Sequence, residues 1–224
     1  MSKNNKNLQH QDEYNLTPEQ LDTLKELGNI GSGNAITALS KLLNREVVVS
    51  LTSVDIIPFW KVQESFESPH VEVFGVYSEV PFNSELSIIQ MFTKKSLINL
   101  INLLNFNEEI SYEQIKKVED LDDLSVSIIK EIGNILTGHY TSALADLLST
   151  QLIPNVPTVA LDTLNAIFNG IIAKHSRLSD FLIIIKTKIT LPEINLNCIM
   201  CFIPCINILK NFFKILNLKY DMNL

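Results

Sequence analysis

Two stretches of this chain carry the same acid–amide pair at helical spacing. Glu26 and Asn29 stand three residues apart, with Asp22 four residues before the glutamate; Ser127, Glu131 and Asn134 repeat the arrangement. On an α-helix, residues three and four apart are neighbours on one face. Each stretch therefore projects a carboxylate, which only accepts hydrogen bonds, beside a carboxamide, which both donates and accepts. Glycine precedes each asparagine, at Gly28 and Gly133. It removes the adjacent side chain and lets another surface approach. A single Glu–Asn pair on a helix is ordinarily a solvated face. Asparagine is a poor mid-helix residue because its side chain competes for backbone hydrogen bonds, and Gly-Asn is doubly costly. Its recurrence in register points to use.

Other chemistries find less support. Residues 28–33 (GNIGSG) are glycine-rich, but they continue a helical pattern, and a phosphate-cradling loop needs a preceding strand. His10, His70, His139 and His175 are scattered without the spacing of a metal motif. No G-x-S-x-G elbow marks a nucleophile. Cys198, Cys201 and Cys205 share one apolar segment with no fourth ligand nearby, which predicts buried free thiols in a reducing compartment.

The elements that must position the pairs are themselves repeated. With an offset of 105, Asp22–Leu43 aligns with Ser127–Leu148, and ten of the 22 positions are identical. The shared core reads K-E-[LI]-G-N-I-x-x-G. A period near half the chain predicts a duplicated fold with pseudo-twofold symmetry rather than a solenoid. The first copy opens as a helix: Thr17 can cap it, Pro18 occupies the first helical position and Gln20 completes a capping box. Leu21, Leu24, Ala35, Ala38, Leu39 and Leu42 follow a helical period, and Asn44 is a plausible stop. The second copy starts near the acidic run Glu119–Asp123, where carboxylates favour a helix N-terminus. Glycines at 28, 31, 33, 133 and 138 would each cost about 1 kcal/mol relative to alanine in an exposed helix. Close approach of a neighbouring element or of a docked partner would offset that cost.

Strand patterns follow each long helix: 46–51, 71–77 and 86–92 in the first half, with a turn near 81–84, and 158–164, 181–187 and 197–203 in the second. Residues 95–106 and 205–218 return to a helical period. The fold class read from this order is α/β (α+β), with helices packed on a largely antiparallel sheet. Residues 1–16 read as a disordered tail. Residues 17–224 read as one domain made of two repeats, about 17–106 and 121–218, joined by a polar linker near 107–120 with a helix of its own.

Composition narrows the partners. The chain has 224 residues, 46% of them hydrophobic, enough for a substantial core. A net charge of −7 argues against nucleic acid and against anionic lipid as partners. Residues 1–16 lack a signal-peptide core, and polar residues interrupt the apolar stretch 198–216, so the expected protein is cytoplasmic without a membrane span.

The pattern Asp/Ser, three residues, Glu, two residues, Asn, twenty-two residues, Pro resembles the signature of the CheC, CheX and FliY phosphatases. Ser127, Glu131, Asn134 and Pro157 match it throughout; Asp22, Glu26 and Asn29 match it up to the last position, where Thr52 stands in place of proline. Two copies in a chain of this length resemble CheC-type proteins. The resemblance implies an enzyme that hydrolyses the aspartyl phosphate of a CheY-type chemotaxis response regulator. It implies that Asn29 and Asn134 orient the attacking water and that Glu26 and Glu131 dock to the regulator's lysine. Asp22, Gly28, Ser127, Gly133 and Pro157 support the signature. No cofactor or metal would be held by this chain; magnesium would sit on the phosphorylated partner. The deamidase CheD is a further implied partner, and a non-catalytic adaptor binding CheD or the regulator is the alternative.

Overall fold

The computed structural model describes residues 16–58, 61–62, 70–81, 85–104, 109–175, 181–194, 196–204 and 206–216. The first long helix, α1, spans Pro18–Leu43. The expected capping box is present: the Thr17 N–H donates to Gln20 Oε1 at 2.8 Å, and the Gln20 N–H donates to Thr17 Oγ1 at 3.2 Å. Asn44 ends the helix in the left-handed region, with φ 49°, a conformation asparagine tolerates better than most residues. The second long helix, α3, spans Asp123–Leu147 and is capped by Asp122, whose side chain accepts from the Ser125 N–H. Between them run β1 (Val48–Pro58), β2 (Glu72–Pro81), β3 (Glu85–Thr93) and α2 (Lys94–Leu104). After α3 come β4 (Thr158–Thr163), α4 (Leu164–His175), β5 (Phe181–Leu191), β6 (Leu196–Pro204) and α5 (Ile206–Ile215).

The six strands form one antiparallel sheet in the order β1-β5-β6-β3-β2-β4. Each long helix is followed by a strand that joins the other half. β1 pairs with β5, and β4 pairs with β2. The β3–β6 pairing closes the centre. The two repeats are therefore interlocked through the sheet rather than set side by side.

Alternation along the strands sorts side chains to two faces. Phe74, Val76, Ile183 and Ile185 enter the larger core, shared with α1, α2, α3 and α5. Val73, Leu182, Ile184 and Cys201 enter a smaller core capped by Leu164, Phe168 and Ile171 of α4. Leu16, assigned to the tail by sequence, is buried in the larger core. Residues 1–15, residues 82–84 of the expected turn and Cys205 lie outside the described residues. Cys198 and Cys201 are free, buried thiols, and loss of solvation pushes both up, Cys201 to about 12.

Two expectations need correction. The described part of the linker forms turns and a single 3-10 turn over Val118–Asp120, not a helix of its own. Its polar side chains bond the local backbone instead: Asp120 Oδ2 accepts from the N–H groups of Lys116 and Lys117. Second, α4 was not foreseen. Its run of Ile and Phe resembles a strand locally, but Thr163 Oγ1 accepts from the Ala166 N–H and starts a helix that covers the second sheet face.

Candidate phosphoryl-transfer face on the long helices

α1 and α3 pack against each other on one face of the sheet. Gly28 of α1 lies against the strands. A Cβ placed on it would stand 2.6 Å from Ile185 Cγ2 and 2.7 Å from Thr52 Cγ2. Gly133 holds the same place in α3, where a Cβ would strike Val76 and lie 3.5 Å from Pro157 Cγ. These two glycines serve contact between helix and sheet. The expectation that they clear the way for a docking partner is thus corrected: their open side is already filled by β-branched side chains of the strands.

The same contacts account for the departure at residue 52. Thr52 follows Asn29 by 23 residues as Pro157 follows Asn134, and each lies beneath the glycine of its own helix. The Thr52 methyl occupies the seat that Pro157 takes in the second repeat, and its hydroxyl pairs with that of Thr187 at 3.2 Å. The helix is therefore seated in both repeats.

Seating the glycine fixes the direction of the acid–amide pair. At 3.6 residues per turn, Asn29 stands about 100° around the helix from Gly28, and Glu26 about 160°. Both are exposed, as are Glu131 and Asn134. Gly31 faces the other long helix, where a Cβ would lie 2.7 Å from the Tyr140 ring. Asn29 lies about 160° from Gly31, on the flank of α1 away from α3. Each pair thus looks outward from a convex helical surface whose backbone is held from behind. In α3 the hold includes a buried polar tie: Gln90 Nε2 donates to Thr137 Oγ1 at 2.7 Å, three residues past Asn134.

The two stripes differ in charge. Asp22 pairs with Lys25 at 3.3 Å. In the second stripe Ser127 replaces the aspartate, and its hydroxyl donates to the Asp123 carbonyl oxygen at 2.8 Å. Lys130, which matches Lys25, has no ion-pair partner among the described residues. A cleft of about 290 Å³ lined by Gly75, Ile167, Ile171 and Lys174 contains neither pair. Its lining side chains belong to the opposite sheet face, under α4. Among the described residues, no group of three or more His, Cys, Asp or Glu side chains is placed to hold a metal ion, and no helix is long and apolar enough to cross a membrane.

The surface therefore offers two exposed Glu–Asn pairs on rigid supports, apart from the cleft under α4.

The CheC-like family model matches residues 19–50 and 124–161, the segments that contain both pairs and Pro157. The chain is 30% identical over 171 residues to the CheY-P phosphatase CheC of Bacillus subtilis (strain 168), covering 76% of this chain and 80% of that protein. It is 26% identical over 146 residues to the flagellar motor switch phosphatase FliY of the same organism, covering 65% of this chain and 36% of FliY. Among solved structures, Thermotoga maritima FliY superposes with a TM-score of 0.67 at 20% identity, over 90% of this chain and 98% of that one, which establishes a shared fold. On its sequence, its doubled signature and its fold, the chain belongs to the CheC family.

Proposed function

We propose that this protein hydrolyses the aspartyl phosphate of a phosphorylated CheY-type response regulator. The observation that carries the reading is the outward presentation of both Glu–Asn pairs at one helical phase, with the sheet locking the backbone behind each asparagine. The activity named for the Bacillus CheC and FliY relatives supports it.

The chemistry asks little of this chain beyond placement. Phosphoryl transfer is catalysed mainly by positioning and by charge stabilisation. The regulator would supply the phosphorylated aspartate, its magnesium ion and a lysine. Asn29 or Asn134 would enter that pocket; its carboxamide oxygen would accept from the attacking water while its N–H groups hold the transferring oxygens. Glu26 or Glu131, one turn back, would pair with the lysine and set the docking register. A rigid helix suits this work, because an amide that must stay in line tolerates little displacement.

The test is to replace both asparagines, Asn29→Ala with Asn134→Ala, and follow phosphate loss from a purified, phosphorylated regulator. Both positions are exposed, so the fold should survive, and acceleration over the regulator's own decay should vanish. Undiminished activity in the folded double variant would falsify the proposal. If the unaltered chain bound regulator or CheD without accelerating phosphate loss, the adaptor reading would take its place.

A further inference from the structure

Each Glu–Asn stripe ends in a glycine that the packing does not explain. Gly33 follows Asn29 by four residues, and Gly138 follows Asn134 by four. A residue at i+4 lies one turn further along the same face. Helical side chains lean back toward the N-terminus, over the turn before their own Cα. A side chain at 33 or 138 would therefore lie across the asparagine carboxamide.

Both positions look into open space: among the described residues, a Cβ at either would meet nothing within 4 Å. Gly28, Gly31 and Gly133 differ, since each has a neighbour that a Cβ would strike. Gly170 in α4 is also open, but it stands alone and outside the stripes. At Gly33 and Gly138 the backbone is helical with no positive φ, so conformation does not call for glycine. Alanine would favour the helix at either site. The fold thus gains nothing from these two glycines, yet they recur in register beside the two asparagines.

We propose that Gly33 and Gly138 are positioning residues of the docking face. They leave the C-terminal flank of each asparagine bare. The rim of the phosphorylated regulator's pocket can then close against the helix backbone and draw the carboxamide to full depth. This inference rests on the reading of the Glu–Asn pairs as the phosphatase site.

The experiment compares the whole chain with two paired variants, Gly33→Ala with Gly138→Ala and Gly33→Gln with Gly138→Gln. The probe is a purified CheY-type regulator phosphorylated with acetyl phosphate in the presence of magnesium. The alanine pair should unfold at a higher temperature, by about 2–4 °C per site. The glutamine pair should unfold no lower than the unaltered chain. The rate of phosphate loss should fall with side-chain size, by about 10- to 100-fold for the glutamine pair. Greater stability together with lower activity is an outcome a packing role would not produce. A glutamine pair as active as the unaltered chain overturns the inference, and so does a lowered unfolding temperature in the alanine pair. Failure of the unaltered chain itself to speed phosphate loss overturns the site reading and this inference together. The two failures are told apart by the unaltered chain alone.

Discussion

Replacing Gly28 by alanine should push the first long helix away from the sheet beneath it. The new Cβ would stand 2.6 Å from Ile185 Cγ2 and 2.7 Å from Thr52 Cγ2, where ordinary contact between methyl groups needs about 3.5–4 Å. Neither neighbour can swing aside freely. Both are β-branched, with stiff χ1, and both sit in strands whose ladder holds them: Ile185 opposite Phe202 and Val54, Thr52 opposite Thr187. The helix must lift by about 1 Å instead. Overpacking of this kind costs about 1–3 kcal/mol, and the stiff neighbours place it near the upper end. Removing a mid-helix glycine returns about 1 kcal/mol, so the net loss is about 2 kcal/mol. The same substitution at Gly33, where the space is open, has only the gain of about 1 kcal/mol. The two variants should then differ by about 3 kcal/mol, or about 6–12 °C in unfolding midpoint for a chain of this size. Urea titration followed by circular dichroism, with matched thermal scans, measures the difference. Because Asn29 rides on the lifted turn, Gly28→Ala should also reduce the share of phosphatase activity due to the first repeat. Equal stabilisation by both substitutions would refute the seating of Gly28 on the strands, and with it the argument that the sheet aims the acid–amide pair.

Further expectations follow from single contacts. The buried Tyr140 ring packs 5.4 Å from that of Phe202, but its hydroxyl has no partner among the described polar groups. Tyr140→Phe should be neutral or stabilising by up to about 1 kcal/mol, whereas Tyr140→Ala should cost about 3–5 kcal/mol; denaturant midpoints distinguish them, and a large loss in the phenylalanine variant would contradict the unpaired hydroxyl. The Lys116 and Lys117 N–H groups hold the Asp120 carboxyl below its ordinary value of 3.8. Its contribution is therefore present above pH 3.8 and is lost as pH falls through the lowered value in the fold, since the unfolded chain then binds more protons. Asp120→Asn should flatten the acid limb of the stability profile, measured as unfolding midpoint between about pH 2 and 5.

Much of the site was legible without coordinates because its signals are local. Thr17, Pro18 and Gln20 announce the start of α1, and each acts within one turn. The i, i+3 spacing of Glu26 and Asn29 puts them on one face of any helix, wherever that helix sits. Repetition at Glu131 and Asn134 raised the pair above an ordinary polar face.

Periodicity, however, gives relative phase and not absolute direction. Five glycines in two helices looked alike along the chain, yet Gly28 and Gly133 rest on strands, Gly31 on a tyrosine of the other long helix, and Gly33 and Gly138 on none of the described residues. Only the assembled fold distinguishes them, because what a Cβ would meet is set by residues distant in the chain, such as Ile185 for Gly28 and Val76 for Gly133. The exchange of β1 and β4 between halves and the seat shared by Thr52 and Pro157 are decided in the same way. Helix α4 is the converse case: its apolar run suits strand or helix locally, and the uncovered second face of the sheet selects the helix. The chain's local chemistry dictated which groups stand together. Burial against distant strands dictated which way they point.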